Sequence, residues 1–346
     1  MPDTKHIFSL HDKAYSLPPE LSGRERSAVN LLYINSASRA YSVLRFTDIV
    51  DILPEGSLLV FNDSLTIPAK FTVTVERTRE TATVHVGSLP GNYVVEIRSN
   101  GLRTENGDIL IFPDGGKLRL LERMAVFPRY WIASPESGFN LLSAGLSFGS
   151  YINYGNFEYR PSDGVYVSGF ARNPGSVEYP SASRPFTEDL ILRLKDKGVN
   201  IVALTLHCNL ASLDADEFWM SERLLPEYYS VSEKTASALN AQINSGGKII
   251  AVGTSVVRAL ETVYKEPLFT AGEGWTDIFI RNSLKSPISG LITGMHDPST
   301  SHILLLGAFC PLGLMVSAYQ TAEDYGFRWH EFGDAALLMR DLNAPG

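Results

Sequence analysis

A glycine-led junction carries the densest chemistry in this chain. Gly246-Gly-Lys-Ile-Ile-Ala-Val-Gly-Thr-Ser-Val-Val-Arg258 reads as an apolar strand over 249–252, a turn at Gly253 and a helical run from Val256. Such strand–turn–helix junctions aim backbone N–H groups and a helix N-terminus beyond the sheet edge, where α/β proteins bind small polar or anionic ligands. Gly253, Thr254 and Ser255 are the expected cradle. Arg258, one helical turn on, suits a carboxylate or phosphate, with a surface salt bridge as the plainer reading. His207 ends an apolar run, and in an open sheet the carboxyl ends of strands face the ligand crevice; a satisfied core histidine fits the same pattern. His296 lies in Thr293-Gly-Met-His-Asp-Pro-Ser-Thr-Ser301, a loop expected to close onto a helix opening near Pro298 or Ser299. An imidazole just before a helix N-terminus suits acid, base or donor roles, and the nearby N–H dipoles favour its neutral form. Asp334, in Phe332-Gly-Asp-Ala-Ala336, suits ribose hydroxyls or proton transfer, against the plainer reading of a tight Gly-Asp turn.

Other patterns carry less. Gly145-Leu-Ser147-Phe-Gly149 has the G-x-S-x-G form of a serine-hydrolase elbow, but Ser-Tyr-Ile-Asn-Tyr-Gly after it is a poor helix start, so a turn is expected. Asp214, Asp216 and Glu217 read as a helix start, and no second ligand cluster has metal spacing. Of 346 residues only two are cysteine, Cys208 and Cys310, far apart, so neither a zinc site nor a disulfide framework is indicated and a reducing, cytoplasmic setting is expected. The N-terminal Met-Pro-Asp-Thr-Lys-His lacks an apolar signal core. The most apolar run, Ile303 to Val316, is too short to span a bilayer and is broken by Pro311, so no membrane role is expected. The net charge of −8 argues against a general phosphate-binding surface, though not against a local basic patch.

The elements that must position these residues fall into two grammars. A buried strand, Leu58-Leu-Val-Phe-Asn-Asp63, comes first. Short period-two runs follow at Phe71–Val75, Thr81–Val86, Tyr93–Arg98, Ile109–Phe112 and Lys117–Glu122, separated by Gly, Pro and Asn turns. They predict a small antiparallel barrel or sandwich within 66–160. The segment 130–165, rich in Gly, Ser, Tyr and Asn, has no legible elements. From Thr187 strands alternate with helices: an N-cap at Thr187 with a helix ending at Gly198, a strand over Val199–His207, a helix from Ser232 to Gly246, the strand 248–252 and the helix 256–264. Two apolar helices split by Pro311 and strands over Phe327–Phe332 and Ala335–Met339 complete the pattern. The fold class is a mostly parallel α/β body, residues 1–65 plus 161–346, with an inserted small antiparallel β-barrel domain over 66–160.

The order of motifs then matters. Leu58-Leu-Val-Phe-Asn-Asp-Ser64, Pro68-Ala-Lys-Phe71, Gly175-Ser-Val177, Thr205-Leu-His207, Val252-Gly-Thr-Ser255, Arg258-Ala-Leu-Glu261, Gly274-Trp-Thr-Asp-Ile-Phe-Ile280, His296-x-Pro298 and Phe332-Gly-Asp-Ala335 stand in the order and spacing of one family. The chain resembles the S-adenosylmethionine:tRNA ribosyltransferase-isomerases (the QueA family), strongly over 165–339 and thinly over 120–165. The resemblance implies an α/β body with an inserted β-barrel. It also implies an enzyme that transfers the ribosyl part of S-adenosylmethionine (AdoMet) to a deazaguanine base in a tRNA anticodon and isomerises it to an epoxycyclopentanediol, releasing adenine and methionine. The sulfonium acidifies the 5′ carbon, so a base can draw a proton there, and adenine leaves better when protonated. His207, His296 and Asp334 are then the expected catalytic or ribose-binding groups. Gly253, Thr254, Ser255, Arg258 and Thr276 would hold AdoMet as substrate, with no metal.

The departures are as informative. The family's Ala-Ala-Pro-Thr-Ala-Gly-Leu-His-Phe-Thr is Glu178-Tyr-Pro-Ser-Ala-Ser-Arg-Pro185-Phe-Thr187 here, with proline at the histidine. Its Met-His-Ser-Glu is Leu224-Leu-Pro-Glu227, its Val-Gly-x-Gly-Thr-Phe is Cys208-Asn-Leu-Ala-Ser-Leu213, and its basic barrel stretch is Arg98-Ser-Asn-Gly-Leu-Arg103-Thr-Glu-Asn106. Proline and leucine side chains carry no donor or acceptor, and thinned basic charge weakens phosphate steering. The expectation that follows is a diverged AdoMet-using transferase with an altered acceptor site and a small-molecule acceptor, tRNA being disfavoured. The alternatives are an authentic queuosine-pathway enzyme on tRNA, or a non-catalytic AdoMet- or nucleoside-binding protein.

Overall fold

The computed structural model describes residues 17–99, 101–153, 164–210, 221–296, 300–329 and 331–342. The strands, in chain order, are β1 (Asn30–Asn35), β2 (Ala40–Arg45), β3 (Leu58–Asn62), β4 (Ser64–Thr66), β5 (Lys70–Val75), β6 (Thr81–Leu89), β7 (Asn92–Ile97), β8 (Ile109–Ile111), β9 (Lys117–Arg123) and β10 (Tyr130–Pro135). They continue with β11 (Asn173–Ser176), β12 (Asn200–Leu206), β13 (Glu227–Val231), β14 (Ile249–Val252), β15 (Tyr264–Lys265), β16 (Leu268–Phe269), β17 (Gly272–Thr276), β18 (Gly290–Gly294) and β19 (Ala335–Met339).

One nine-stranded sheet runs β17-β13-β12-β3-β14-β18-β19-β1-β2. Its centre, β12-β3-β14-β18, is parallel, and its margins are largely antiparallel. The centre is parallel because every residue of β3 and β14 is buried, the mark of strands covered on both faces. Their side chains alternate between two cores: Leu58, Val60, Ile249 and Ala251 enter one, and Leu59, Phe61, Ile250 and Val252 enter the other. The helices form where the sequence caps them. Thr187 accepts from the Leu190 N–H and opens Glu188–Asp196; Ser232 accepts from the Thr235 N–H and opens Glu233–Asn244. Gly198 and Gly246, at φ +84° and +68°, end those two runs.

A closed antiparallel barrel, β10-β7-β6-β5-β8-β9, occupies Lys70–Pro135. Alternation puts Phe71, Val73 and Val75 inside with Val84, Val86, Leu118 and Leu120. The α/β body with an inserted antiparallel barrel is therefore the architecture that alternation and turns predict.

Three local expectations fail. Phe327–Phe332 is not a strand among its described residues. Phe327 and Trp329 are buried, Trp329 against Tyr319 at 5.6 Å, but the chain there is a tight loop drawn in by Asp334. The 130–165 segment contains β10 and a helix, Leu141–Phe148, capped by Asn140 accepting from the Ser143 N–H. Ser147 lies exposed within that helix, so no strand enters the motif and no nucleophile elbow exists. Asp214, Asp216, Glu217, Pro298 and Ser299 lie outside the described residues.

Asp334 holds the loop together. One carboxylate oxygen accepts from the Asn30 N–H at 2.6 Å and the other from the Arg328 N–H at 2.7 Å, tying the start of β1 to the loop before β19. Replacing Asp334 by alanine leaves two N–H groups unpaired. It is expected to lower unfolding free energy by about 2–4 kcal/mol, measured by denaturant titration, with Asp334→Asn losing less.

Candidate active site

Two cavities meet at the carboxyl edge of the sheet. The first, of about 120 Å³, is lined by Gly253, Thr254, Ser255, Arg258, Thr293 and His296 among others. The second, of about 480 Å³, is a cleft between barrel and body, lined by Asn92, Tyr93 and Leu141 from the barrel side and His207, Tyr228 and Trp275 from the body. The cleft falls in the size range of a small-molecule site. Cys208 and Glu227 line both cavities and form the wall between them.

The first cavity is made by the β14 turn. Gly253 sits at φ +103°, a conformation that favours glycine, and the helix Thr254–Val263 starts immediately after it. The first helical N–H groups are orphans that face this space. Asn62, at the end of β3, joins the two sides. Its amide donates to the Leu206 carbonyl at 2.8 Å and to Ser255 Oγ at 3.1 Å, and its oxygen accepts from the Leu206 N–H at 3.0 Å. The residue before His207 and the cradle at Ser255 are thereby held by one buried amide.

Arg258 is 7% exposed and its guanidinium is ion-paired with Glu227, 1% exposed. Glu227 also accepts from the Asn209 N–H at 3.1 Å. Burial pushes the Glu227 carboxyl up, against the pull of Arg258 and the Asn209 N–H. Arg258 is thus no surface salt bridge; it holds the wall, and its Nε has no hydrogen-bond partner among the described residues. Thr276 lines neither cavity. Its hydroxyl meets Thr262 Oγ1 at 2.6 Å, and Thr262 donates to the Arg258 carbonyl at 2.8 Å, so it braces the helix that carries Arg258.

The histidines face different cavities. His296 lines the first; its Nε2 meets Thr293 Oγ1 at 2.6 Å and its ring stacks on His302 at 4.3 Å. His207 lines the cleft, with Nδ1 against Ser64 Oγ at 2.7 Å and its ring on Tyr228 at 5.5 Å. Desolvation pulls the His207 imidazole below its ordinary range, only partly opposed by Asp63. The Cys208 thiol is pushed up to about 12, chiefly by burial, and is no nucleophile.

Asp334 lines a third, small recess with Arg184, Pro185 and Glu331, joined to the first cavity through Ser181, Ala182, Thr293 and Gly294. Both Asp334 oxygens are committed to backbone N–H groups, which leaves it little freedom for proton transfer. Glu331 is the group that sequence reasoning missed. Burial first, then the like charge of Glu178, push its carboxyl up to about 8, with Arg184 opposing. Arg184 is itself ion-paired with Glu20. Nothing in the linear order brings residues 20, 178, 184 and 331 together, so no sequence signal marked Glu331. Among the described residues no group of three or more His, Cys, Asp or Glu is placed to hold a metal, and no helix is long and apolar enough to cross a membrane.

Comparison with known proteins places this geometry. A model of the queuosine biosynthesis protein family matches residues 8–338. S-adenosylmethionine:tRNA ribosyltransferase-isomerases are similar throughout. The Herminiimonas arsenicoxydans protein is 31% identical over 96% of this chain and 99% of its own. The Aquifex aeolicus protein is 30% identical over 94% and 98%, and the Staphylococcus epidermidis protein 29% over 96% and 100%. The crystal structure of the Thermotoga maritima S-adenosylmethionine tRNA ribosyltransferase is similar at 25% identity and a TM-score of 0.51, covering 95% of this chain and 100% of that one. The expected small-molecule acceptor, with tRNA disfavoured, is therefore corrected: relatives similar over nearly their whole length are tRNA enzymes. The thinned stretch at 98–106 misled because the barrel's basic residues are spread along its whole length. Between Lys70 and Pro135 nine Lys and Arg stand against seven Asp and Glu, so the barrel is net positive within a chain of charge −8.

Two outcomes test the electrostatics. Removing the Arg258 charge with Arg258→Met leaves Glu227 buried and unpaired and is expected to cost about 3–5 kcal/mol of stability by denaturant titration. A folded-state pKa above the ordinary carboxylate value means that the Glu331 contribution is complete in acid and is lost as pH rises through about 8. The thermal midpoint should fall from about pH 5 to about pH 9, and Glu331→Gln should flatten that slope.

Proposed function

This chain belongs to the queuosine biosynthesis protein family, and we propose that it is an S-adenosylmethionine:tRNA ribosyltransferase-isomerase: it moves the ribosyl part of AdoMet onto a base of a tRNA anticodon. The observation that carries the reading is the pair of adjoining cavities with one shared wall, since the reaction brings two substrates together. The methionine end of AdoMet enters the first cavity, whose volume of about 120 Å³ is less than the whole molecule needs. The helix N–H groups at Thr254 and Ser255 receive its carboxylate, because the positive charge of Arg258 is already matched by Glu227. The target base enters the cleft from the barrel side. Tyr93, Tyr228 and Trp275 offer rings there, and sequence-specific RNA recognition works by splaying single-stranded bases onto aromatic faces.

Proton traffic follows from the same division. The 5′ carbon of AdoMet must lose a proton, and departing adenine must gain one. His296 lines the AdoMet side, stacked on a second imidazole of the same cavity, His302. Glu331, neutral near pH 7 and in the adjoining recess, is a proton source for the leaving base. Pro185 and Leu225, where the family carries histidines, put no proton-transfer group at those positions, so the task falls to His296 and Glu331. Work on tRNA fits a cytoplasmic setting, as do two cysteines far apart in the sequence.

Incubation with AdoMet and tRNA carrying the deazaguanine base tests the reading, with adenine, methionine and modified nucleoside followed by mass spectrometry. Stoichiometric adenine and methionine with a ribosyl-modified tRNA is the expected result; AdoMet binding with no adenine release on any tRNA would leave only a binding protein. Trp275→Ala is expected to raise KM for tRNA roughly tenfold, the worth of one stacking contact, with KM for AdoMet little changed.

A further inference from the structure

A buried chain of hydroxyls behind His207 sets which proton the imidazole carries. Ser64 on β4 and Ser176 on β11 are 1% and 0% exposed, and the two short strands pair in parallel. The Cys208 N–H donates to Ser176 Oγ at 2.8 Å, Ser176 Oγ meets Ser64 Oγ at 2.6 Å, and Ser64 Oγ meets His207 Nδ1 at 2.7 Å. The ring is closely approached by Gly175, where a Cβ would stand 2.5 Å from His207 Nε2, and is stacked by Tyr228 at 5.5 Å.

Each serine has one proton and two lone pairs; an order in which Ser64 accepts from both Ser176 and Nδ1–H leaves the buried Ser64 proton directed at neither of its partners, so two orders remain. In one, Ser176 donates to Ser64 and Ser64 donates to Nδ1; every proton then meets a strong acceptor. In the other, Nδ1–H donates to Ser64 and Ser64 to Ser176. Ser176 Oγ then accepts twice, and its own proton is left with the Cys208 sulfur, a weak acceptor. A buried hydroxyl without a good acceptor is costly, which selects the first order.

We propose that Ser176 and Ser64 are positioning residues that donate in series to Nδ1, fix His207 as the Nε2–H tautomer and so present an N–H donor, not a base, to the cleft. Its complement is a heterocycle with a carbonyl oxygen or bare ring nitrogen, as a purine-type base offers. The identity of that occupant rests on the function proposed above; the tautomer does not. Burial of the ring disfavours its charged form, in keeping with a neutral donor, and Asp63 nearby is engaged by Thr205 at 2.6 Å and by Asn173 at 3.0 Å. Proton abstraction from the sulfonium substrate then belongs to the other cavity.

Histidine-ring nitrogen NMR on the uniformly labelled, substrate-free protein tests this, with His207 assigned by its loss in His207→Gln. The expected spectrum has a protonated Nε2 and a bare Nδ1; the reverse overturns the proposal whatever the protein's activity. Cys208→Ala should leave that ring signature unchanged, and a shift of the proton to Nδ1 would overturn the order given. Ser64→Ala should mix the tautomers and lower kcat/KM for tRNA about tenfold, the worth of one hydrogen bond, while Ser64→Thr restores both. A Ser64→Ala protein with mixed tautomers and unchanged kcat/KM would remove the positioning role. Wild-type protein that shows the expected tautomer but never turns over tRNA would sink the proposed function alone.

Discussion

The buried pair of Glu227 and Arg258 is the constraint on which the site depends. It joins the start of β13 to the helix that follows β14, and it separates the two cavities. Two charges taken out of water are costly unless their geometry is close and their remaining bonding positions are filled. Here the Asn209 N–H fills one Glu227 position, while Arg258 Nε has no partner among the described residues, and Thr262, braced by Thr276, fixes the Arg258 backbone carbonyl and not its guanidinium. A hydrophobic wall of the same volume would pack as well. What it would not supply is a fixed polar border where the two cavities adjoin.

From that wall the division of labour follows. Parallel strands end with their carbonyls and the next helix N–H groups at one edge, so the edge is polar by construction. β3, β12 and β14 all end there, and Asn62 ties the three ends together through Leu206 and Ser255. The barrel then closes the far side of the cleft. Asn209 reaches across: its amide donates to the Ser88 carbonyl on β6 at 2.7 Å and to the Pro226 carbonyl at 2.9 Å. Gly87 lies so close to Asn209 that a Cβ there would overlap its side-chain oxygen. The barrel is therefore seated on the body beside the wall itself, not hung from a free linker.

Much of this was legible in the sequence, and the residues say why. Thr187 and Ser232 cap helices through local side-chain bonds, and β3 and β14 announce themselves by continuous apolar runs. Such signals are short in range, and periodicity carries them. The Phe327–Phe332 strand failed because its alternation comes from aromatic packing on Tyr319, while the backbone answers to Asp334 six residues on from Arg328. The Glu227–Arg258 pair, the Ser64–Ser176–His207 chain and the Glu20–Arg184–Glu331 group unite residues from about thirty to more than three hundred positions apart. No window finds them. The same blindness misjudged the acceptor: proline and leucine at two positions read as lost chemistry, while a carboxyl elsewhere in the chain stood in the adjoining recess.

Charge deserves the same local treatment. Screening in physiological salt has a reach of about 8 Å, so a phosphate backbone responds to the face it touches and not to the sum over the chain. On the barrel, several carboxylates are already spent within the fold. Glu76 pairs with Lys117 at 2.8 Å, Asp108 with Arg77 at 2.7 Å, and buried Glu96 faces His85, Arg98 and Arg129. These acids organise basic side chains at the surface more than they repel an approaching anion. An arginine held by one carboxylate still has donors to spare, because a guanidinium carries five. A negatively charged chain can in this way offer a polyanion a local foothold, provided that its excess acid lies elsewhere, and here the excess lies outside the barrel.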